Sequence, residues 1–314
     1  MAYRPVEARH PNHRPSWMSP EAKRTKELLY VSNGDADEVD VYSYRSGKRV
    51  GALTGFVQPE GQCVDKRGNV WITNFGTKYQ TGYAVEYAHG GSVPLKELQV
   101  YDPAIGCSVD PTSGNLAVDS PYGSGGALMF IFPKASGQPT KYHSYYCDWM
   151  YSPGYDNLGN LYVEGPDQFG LNVCVLPPSG GQFLLVTADV TLHSNGGMMW
   201  DGKYITLADT YYGESGWETV IYQMAGGLTN LSEVGETVLQ CSGKADGYYT
   251  TLEQPFIVGA RNTPVNNRQG TSVVFSQEQC GDRLDYWAYP SGGTRIKMIH
   301  SAESATGESV SIAP

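Results

Sequence analysis

Short apolar stretches alternate with Gly, Asp and Asn clusters along almost the whole chain. Residues 63–74 (CVDKRGNVWITN) read as strand, turn, strand. The Asp/Gly/Asn cluster favours a tight reversal, and the flanking β-branched and aromatic residues favour extended backbone. The same pattern recurs at 108–119, 154–164 and 199–209. The second strands end in Asn74, Asp119, Glu164 and Asp209, each 45 residues after the last. Asn33 lies 41 residues before Asn74, and Gln277 lies 68 beyond Asp209, so the final interval carries an insertion. A second feature repeats in step. Apolar strands at 41–44, 85–87, 129–132, 173–176, 221–224 and 286–289 each run into a Gly turn.

Six units of about 45 residues, each three or four strands long, predict an all-β chain folded as one six-bladed β-propeller with four-stranded antiparallel blades. One four-stranded sheet cannot bury both faces, whereas six stacked around an axis can. The expected boundaries are an N-terminal arm over 1–27, the propeller over 28–299 and a flexible tail over 300–314. Trp17-Met18-Ser19 is expected to supply the inner strand of the first blade, and 295–299 the outer strand of the last.

Composition agrees with many short elements joined by turns: Gly 38 and Pro 19 in 314 residues. No apolar run is long enough to cross a membrane as a helix. The net charge of −10 and the absence of a basic stripe speak against nucleic acid and anionic membrane as partners. The opening Met1-Ala2-Tyr3-Arg4-Pro5 lacks the apolar core of a signal peptide. The expectation is a secreted or periplasmic domain without its leader, with a cytoplasmic location left open. None of the six Cys forms a C-x-x-C pair. Cys63 and Cys107 lie in apolar strand-like runs and read as buried thiols. Cys241 and Cys280 lie in loop-like segments and are the better disulfide candidates.

Residues 59–65 (PEGQCVD) with 68–74 (GNVWITN) resemble an NHL-type repeat. The chain is also similar to the streptogramin B lyase and gluconolactonase-like (senescence-marker) propellers, from about residue 28 to 299. The gluconolactonase-like resemblance implies one divalent cation (Ca²⁺, Mg²⁺, Mn²⁺ or Zn²⁺) at the channel mouth. Its ligands would be Glu60, Asn195 and Asp246, each standing before a Gly, with Asp148 replacing a further Asn of that family. Such an ion would polarise a lactone or ester carbonyl. Asp246 is the expected base, and the lyase resemblance adds His193 in that role. Nothing in the sequence indicates a nucleotide or organic cofactor.

The tyrosines point elsewhere. There are 23, and several fall in loops expected on the same rim. Tyr146, Trp149, Tyr211, Tyr212, Tyr248 and Tyr249 are candidates to bind a small molecule, glycan, peptide or protein. Two readings follow. One is a non-catalytic binding propeller working through a Tyr-rich rim. The other is a metal-assisted lactonase, esterase or lyase.

Overall fold

A computed structural model describes residues 15–76, 82–121, 126–213, 216–240, 255–258, 272–277, 283–299 and 305–314, with backbone alone at 212, 213, 216, 217, 274–277 and 283. The architecture is all-β. Among the described residues no helix is long and apolar enough to cross a membrane.

The strands form consecutive antiparallel sets. The first runs Trp17–Met18, Arg49–Thr54, Glu38–Ser43, Glu27–Asn33, Ala305–Ile312 in hydrogen-bonding order. The second contains Pro59–Val64, Val70–Asn74, Tyr83–Tyr87 and Pro94–Gln99. The third contains Cys107–Val109, Leu116–Ser120, Leu128–Phe132 and Thr140–Tyr142. The fourth is Tyr151–Tyr155, Leu161–Pro166, Leu171–Leu176 and Leu184–Ala188. The fifth is Met198–Trp200, Ile205–Gly213, Gly216–Gly226 and Asn230–Gln240. A parallel pairing, Thr187 with Asn230, joins the fourth and fifth sets edge to edge. The sixth is Phe256–Val258, Ser272–Gln277, Arg283–Ala288 and Lys297–Ile299.

The hairpins begin with one recurring device. Asp65, Asp110, Asp156 and Asp201 each accept, through Oδ1, the amide two residues on, at 2.7–2.8 Å. Their own amides close the turn onto the carbonyls of Asn69, Asn115, Asn160 and Tyr204. This side-chain mimicry of a backbone turn is why the Asp/Gly/Asn clusters mark the hairpins.

The strands between turns are apolar on both faces because each set is covered on both sides. Val70, Trp71 and Ile72 are all buried, as are Val173, Cys174 and Val175. Trp71 packs into a core shared by the second and third sets, which includes Cys107 and Phe130. Trp287, Tyr30 and Tyr42 fill another that spans the sixth, first and second sets.

Backbones of neighbouring innermost strands approach closely. The Gly61 amide donates to the Ile105 carbonyl at 2.8 Å. A Cβ on Gly61 would stand 2.6 Å from that same oxygen, and one on Gly106 would stand 2.7 Å from Ser152 Cα. Only glycine fits where strands converge this tightly.

Three sequence expectations need correction. The segment after residue 300 is not a loose tail throughout: Ala305–Ile312 is a mostly buried strand paired with Glu27–Asn33. It takes the innermost place in the first set. Trp17–Met18 instead pairs with the opposite edge strand, Arg49–Thr54, so it is not the inner strand. Cys63 and Cys107 are not thiols but form a disulfide, and Cys147 pairs with Cys174. Cys241 and Cys280 lie outside the described residues.

Candidate functional site

Antiparallel pairing places the end of each second strand beside the start of the innermost one. Asn74 stands opposite Pro59, and Glu164 opposite Tyr151. The residues at the second-strand ends therefore share a rim with the segments that lead into the inner strands. The Asp turns lie at the other end.

Three of those end residues have a structural task. Asn74 Oδ1 accepts the Val57 amide at 2.6 Å, and Asp119 Oδ1 accepts the Gly106 amide at 2.6 Å. Asp209 Oδ1 accepts the amides of His193 and Ser194 at 2.9 and 2.8 Å. Each clamps the segment leading into its own inner strand, satisfying buried amides that no ladder reaches. Asn33 caps its own turn, through the Ala36 amide at 2.9 Å. Gln277 is described in backbone alone.

Several rim oxygens remain after that accounting. Asn195 Oδ1 is buried without a hydrogen-bond partner, and Asp119 Oδ2 and both carboxylate oxygens of Glu164 are buried with no well-formed hydrogen bond, only the looser approach of amides such as that of Gly196 to Glu164. Asp119 and Glu164 are themselves 0% exposed. Burial, and then the charge of Asp119, pushes the Glu60 carboxyl up to about 8. Burial pushes Asp119 up to about 7, and the surrounding amides, Gly106 first, offset part of it. Burial also holds Glu164 well above the usual carboxylate range, with Asp209 adding to the rise and the Gly196 amide opposing it. Glu60 thus lies within the field of Asp119, and Glu164 lies within that of Asp209 and beside the amide of Gly196, the residue after Asn195. Ionised carboxylates and an amide oxygen are the hard donors that a divalent cation takes, and among the described residues no three His, Cys, Asp or Glu side chains are grouped closely enough to hold one.

His193 is fixed rather than loose. Its Nδ1 meets Asp209 Oδ2 at 2.8 Å, while its side chain stays 49% exposed and its ring lies 5.1 Å from that of Tyr211. Donation from Nδ1–H leaves Nε2 as the nitrogen facing outward.

The remaining candidates divide. Asp148 is exposed, unlike the buried acids. Tyr146 and Trp149 are exposed at 45% and 50%, beside Tyr145 at 79%. Tyr211 is half-buried, its hydroxyl donating to Glu218 Oε2 at 3.2 Å. The side chain of Tyr212, and Asp246, Tyr248 and Tyr249 entirely, lie outside the described residues. Two further residues belong to the rim. Phe169 is 86% exposed on the turn after Leu161–Pro166. Its signal was local: an aromatic residue in a PDQFG turn has no strand to pack in. Asp209 orients His193, a pairing 16 residues apart that the repeat spacing hides.

No known family matches the sequence, and no curated protein does. Solved structures do match. One is a chain in a nidogen/laminin complex, 12% identical, TM-score 0.62, with 91% of this chain and 98% of that one covered. Another is TolB from Acinetobacter baumannii, 12% identical, TM-score 0.61, covering 91% of this chain and 66% of that one. A third is a functionally unknown protein from Desulfotomaculum acetoxidans, 10% identical, TM-score 0.57, covering 91% and 99%. Identities this low carry the fold and nothing further. Together with the consecutive antiparallel sets, they give this chain a β-propeller fold.

Proposed function

We propose that the chain is a six-bladed propeller of NHL type, with four-stranded blades of about 45 residues, that binds its ligand at the rim around the channel mouth. Binding is non-catalytic, and the ligand is a glycan, peptide or protein. The observation that carries this reading is the exposure of Tyr145, Tyr146 and Trp149, at 79%, 45% and 50%, in one segment of that rim. Large rings that keep this much surface in water are suited to a ligand, since aromatic side chains anchor ligands by stacking with a polar tip free. The two disulfides support an oxidising, secreted or periplasmic setting.

A glycan and peptide array tests it. Tyr146→Ala with Trp149→Ala should abolish capture of whatever the wild-type chain retains. Leu158→Ser, in the turn at the opposite end and 70% exposed, should not. Equal capture by the rim variant would end this reading.

The His193–Asp209 pair supports a second reading, a metal-dependent hydrolase or lyase. Glu60 and Asn195, with Asp246, would hold the divalent cation, and Asp148 is too exposed to favour that role. The bound ion would supply polarisation of a substrate carbonyl. His193, held by Asp209, would accept a proton at Nε2. Metal analysis decides this reading: about one equivalent of divalent metal, lost in Glu60→Ala, is expected, and protein that takes up none after incubation with Ca²⁺, Mn²⁺ or Zn²⁺ rejects it.

A further inference from the structure

The net charge of this molecule is concentrated in one stretch of the chain. The whole chain has 22 Lys and Arg against 32 Asp and Glu. Residues 142–243 hold eleven of those acids and a single cation, Lys203. The remainder of the chain has 21 of each sign and sums to zero. The entire net charge of −10 therefore belongs to the fourth and fifth sets and the segments leading into them.

The exposed rings of the rim stand in that region. Tyr145, Tyr146 and Trp149 precede the fourth set, and Phe169 sits on its second turn. Carboxylates are interleaved with them: Asp148 is exposed, and Asp167 is half-buried, its Oδ1 accepting the Phe169 and Gly170 amides at 2.7 and 3.0 Å. The ledge is held from beneath. Cys147 is bonded to Cys174, and the Asp148 amide donates to the Pro166 carbonyl at 2.9 Å. Asn172 Nδ2 donates to the Tyr146 carbonyl at 2.7 Å. A surface fixed in advance loses little freedom on binding. The next set extends the negative field, since Glu218, Glu236 and Asp209 all act on the Tyr211 hydroxyl.

Rings alone would suit a neutral sugar. Rings alternating with carboxylates suit a cation, because a ring face attracts positive charge and a carboxylate pairs with guanidinium or ammonium. Acidic partners are repelled by the same field. We propose that this ledge docks a basic segment of a partner protein, its Lys or Arg side chains lying against Tyr145, Trp149 and Phe169 and pairing with Asp148 and Asp167. The proposal rests on the rim-binding reading and narrows its ligand to one class.

Fluorescence anisotropy on the full chain tests it, with labelled ten-residue peptides alternating Arg–Ser and Gln–Ser. The Arg–Ser peptide should bind and the Gln–Ser peptide at least about 10-fold more weakly, as charge complementarity requires. Raising NaCl from 50 to 200 mM should weaken Arg–Ser binding about 10-fold. Asp148→Asn with Asp167→Asn should flatten that salt dependence. Trp149→Ala with Phe169→Ala should weaken binding about 10-fold at every salt concentration. Equal binding of the two peptides, or Arg–Ser binding indifferent to both rim variants, overturns the proposal. If a neutral oligosaccharide binds instead and is lost with Trp149→Ala, the basic partner is refuted while the rim reading stands. If no ligand is lost in the rim variants, both fall. Asp148, Trp149 and Phe169 are exposed and Asp167 is half-buried, and unchanged thermal melting serves as the folding control.

Discussion

The carboxylate of Asp119 serves two neighbours at once: Oδ1 holds the Gly106 amide at 2.6 Å, and the charge it carries raises Glu60. Both acids are pushed up in the folded state, to about 7 and about 8, from 3.8 and 4.5. The folded state therefore binds more protons than the unfolded one across that interval, and stability falls as pH rises through it. Thermal melting should drop from about pH 5 to pH 8, and Glu60→Gln or Asp119→Asn should flatten the slope. A melting temperature that rises over the same range would contradict the burial of these acids. Gly106→Ala tests the tight approach of strands beside them. Its Cβ would meet Ser152 Cα at 2.7 Å and Asp119 Oδ2 at 2.8 Å. Denaturant unfolding should show a loss of about 1–3 kcal/mol, the usual cost of overpacking. At this scale the turn residues were legible, because an Asp that caps its own hairpin acts within a few positions. The pairing of His193 with Asp209 was not, because it depends on how an inner and a second strand align.

Ala305–Ile312 closes the first set by pairing with Glu27–Asn33, joining the two ends of the described chain. Removing residues 305–314 would leave Glu27–Asn33 as a bare apolar edge with Leu28, Leu29 and Tyr30 uncovered. Such a truncation should lose cooperative thermal unfolding and aggregate, as followed by calorimetry and light scattering. A truncated chain that melts like the full one would mean the strand is dispensable. The disulfide Cys63–Cys107 ties the innermost strands of the second and third sets across 44 residues. Cys63→Ser with Cys107→Ser should cost about 4 kcal/mol in denaturant unfolding, from the loop-closure entropy returned to the unfolded chain. The hairpins were readable from their period, since strand and turn chemistry is local. The closing strand was not, because residues 305–312 (ATGESVSI) are small and polar and gain their burial from other strands, the one they pair with lying nearly 280 residues away. The disulfide misreading has the same cause. Its signal was the spacing: two Cys 44 apart stand at nearly equivalent places in adjacent units of about 45.

At the level of the whole molecule, a propeller explains the Gly and Pro abundance but not the tyrosines left in water at one rim. Nor does it explain why residues 142–243 carry the whole net charge. Those two features coincide on the fourth set, and ligand binding there is the central claim. Hydroxyl-radical footprinting of the chain, free and saturated with the ligand retained on the array, tests it most directly. The account predicts protection of Tyr145, Tyr146, Trp149 and Phe169 with Leu158 unchanged at the opposite end. Protection of Leu158, with the four rim aromatics reacting as in the free protein, would contradict it.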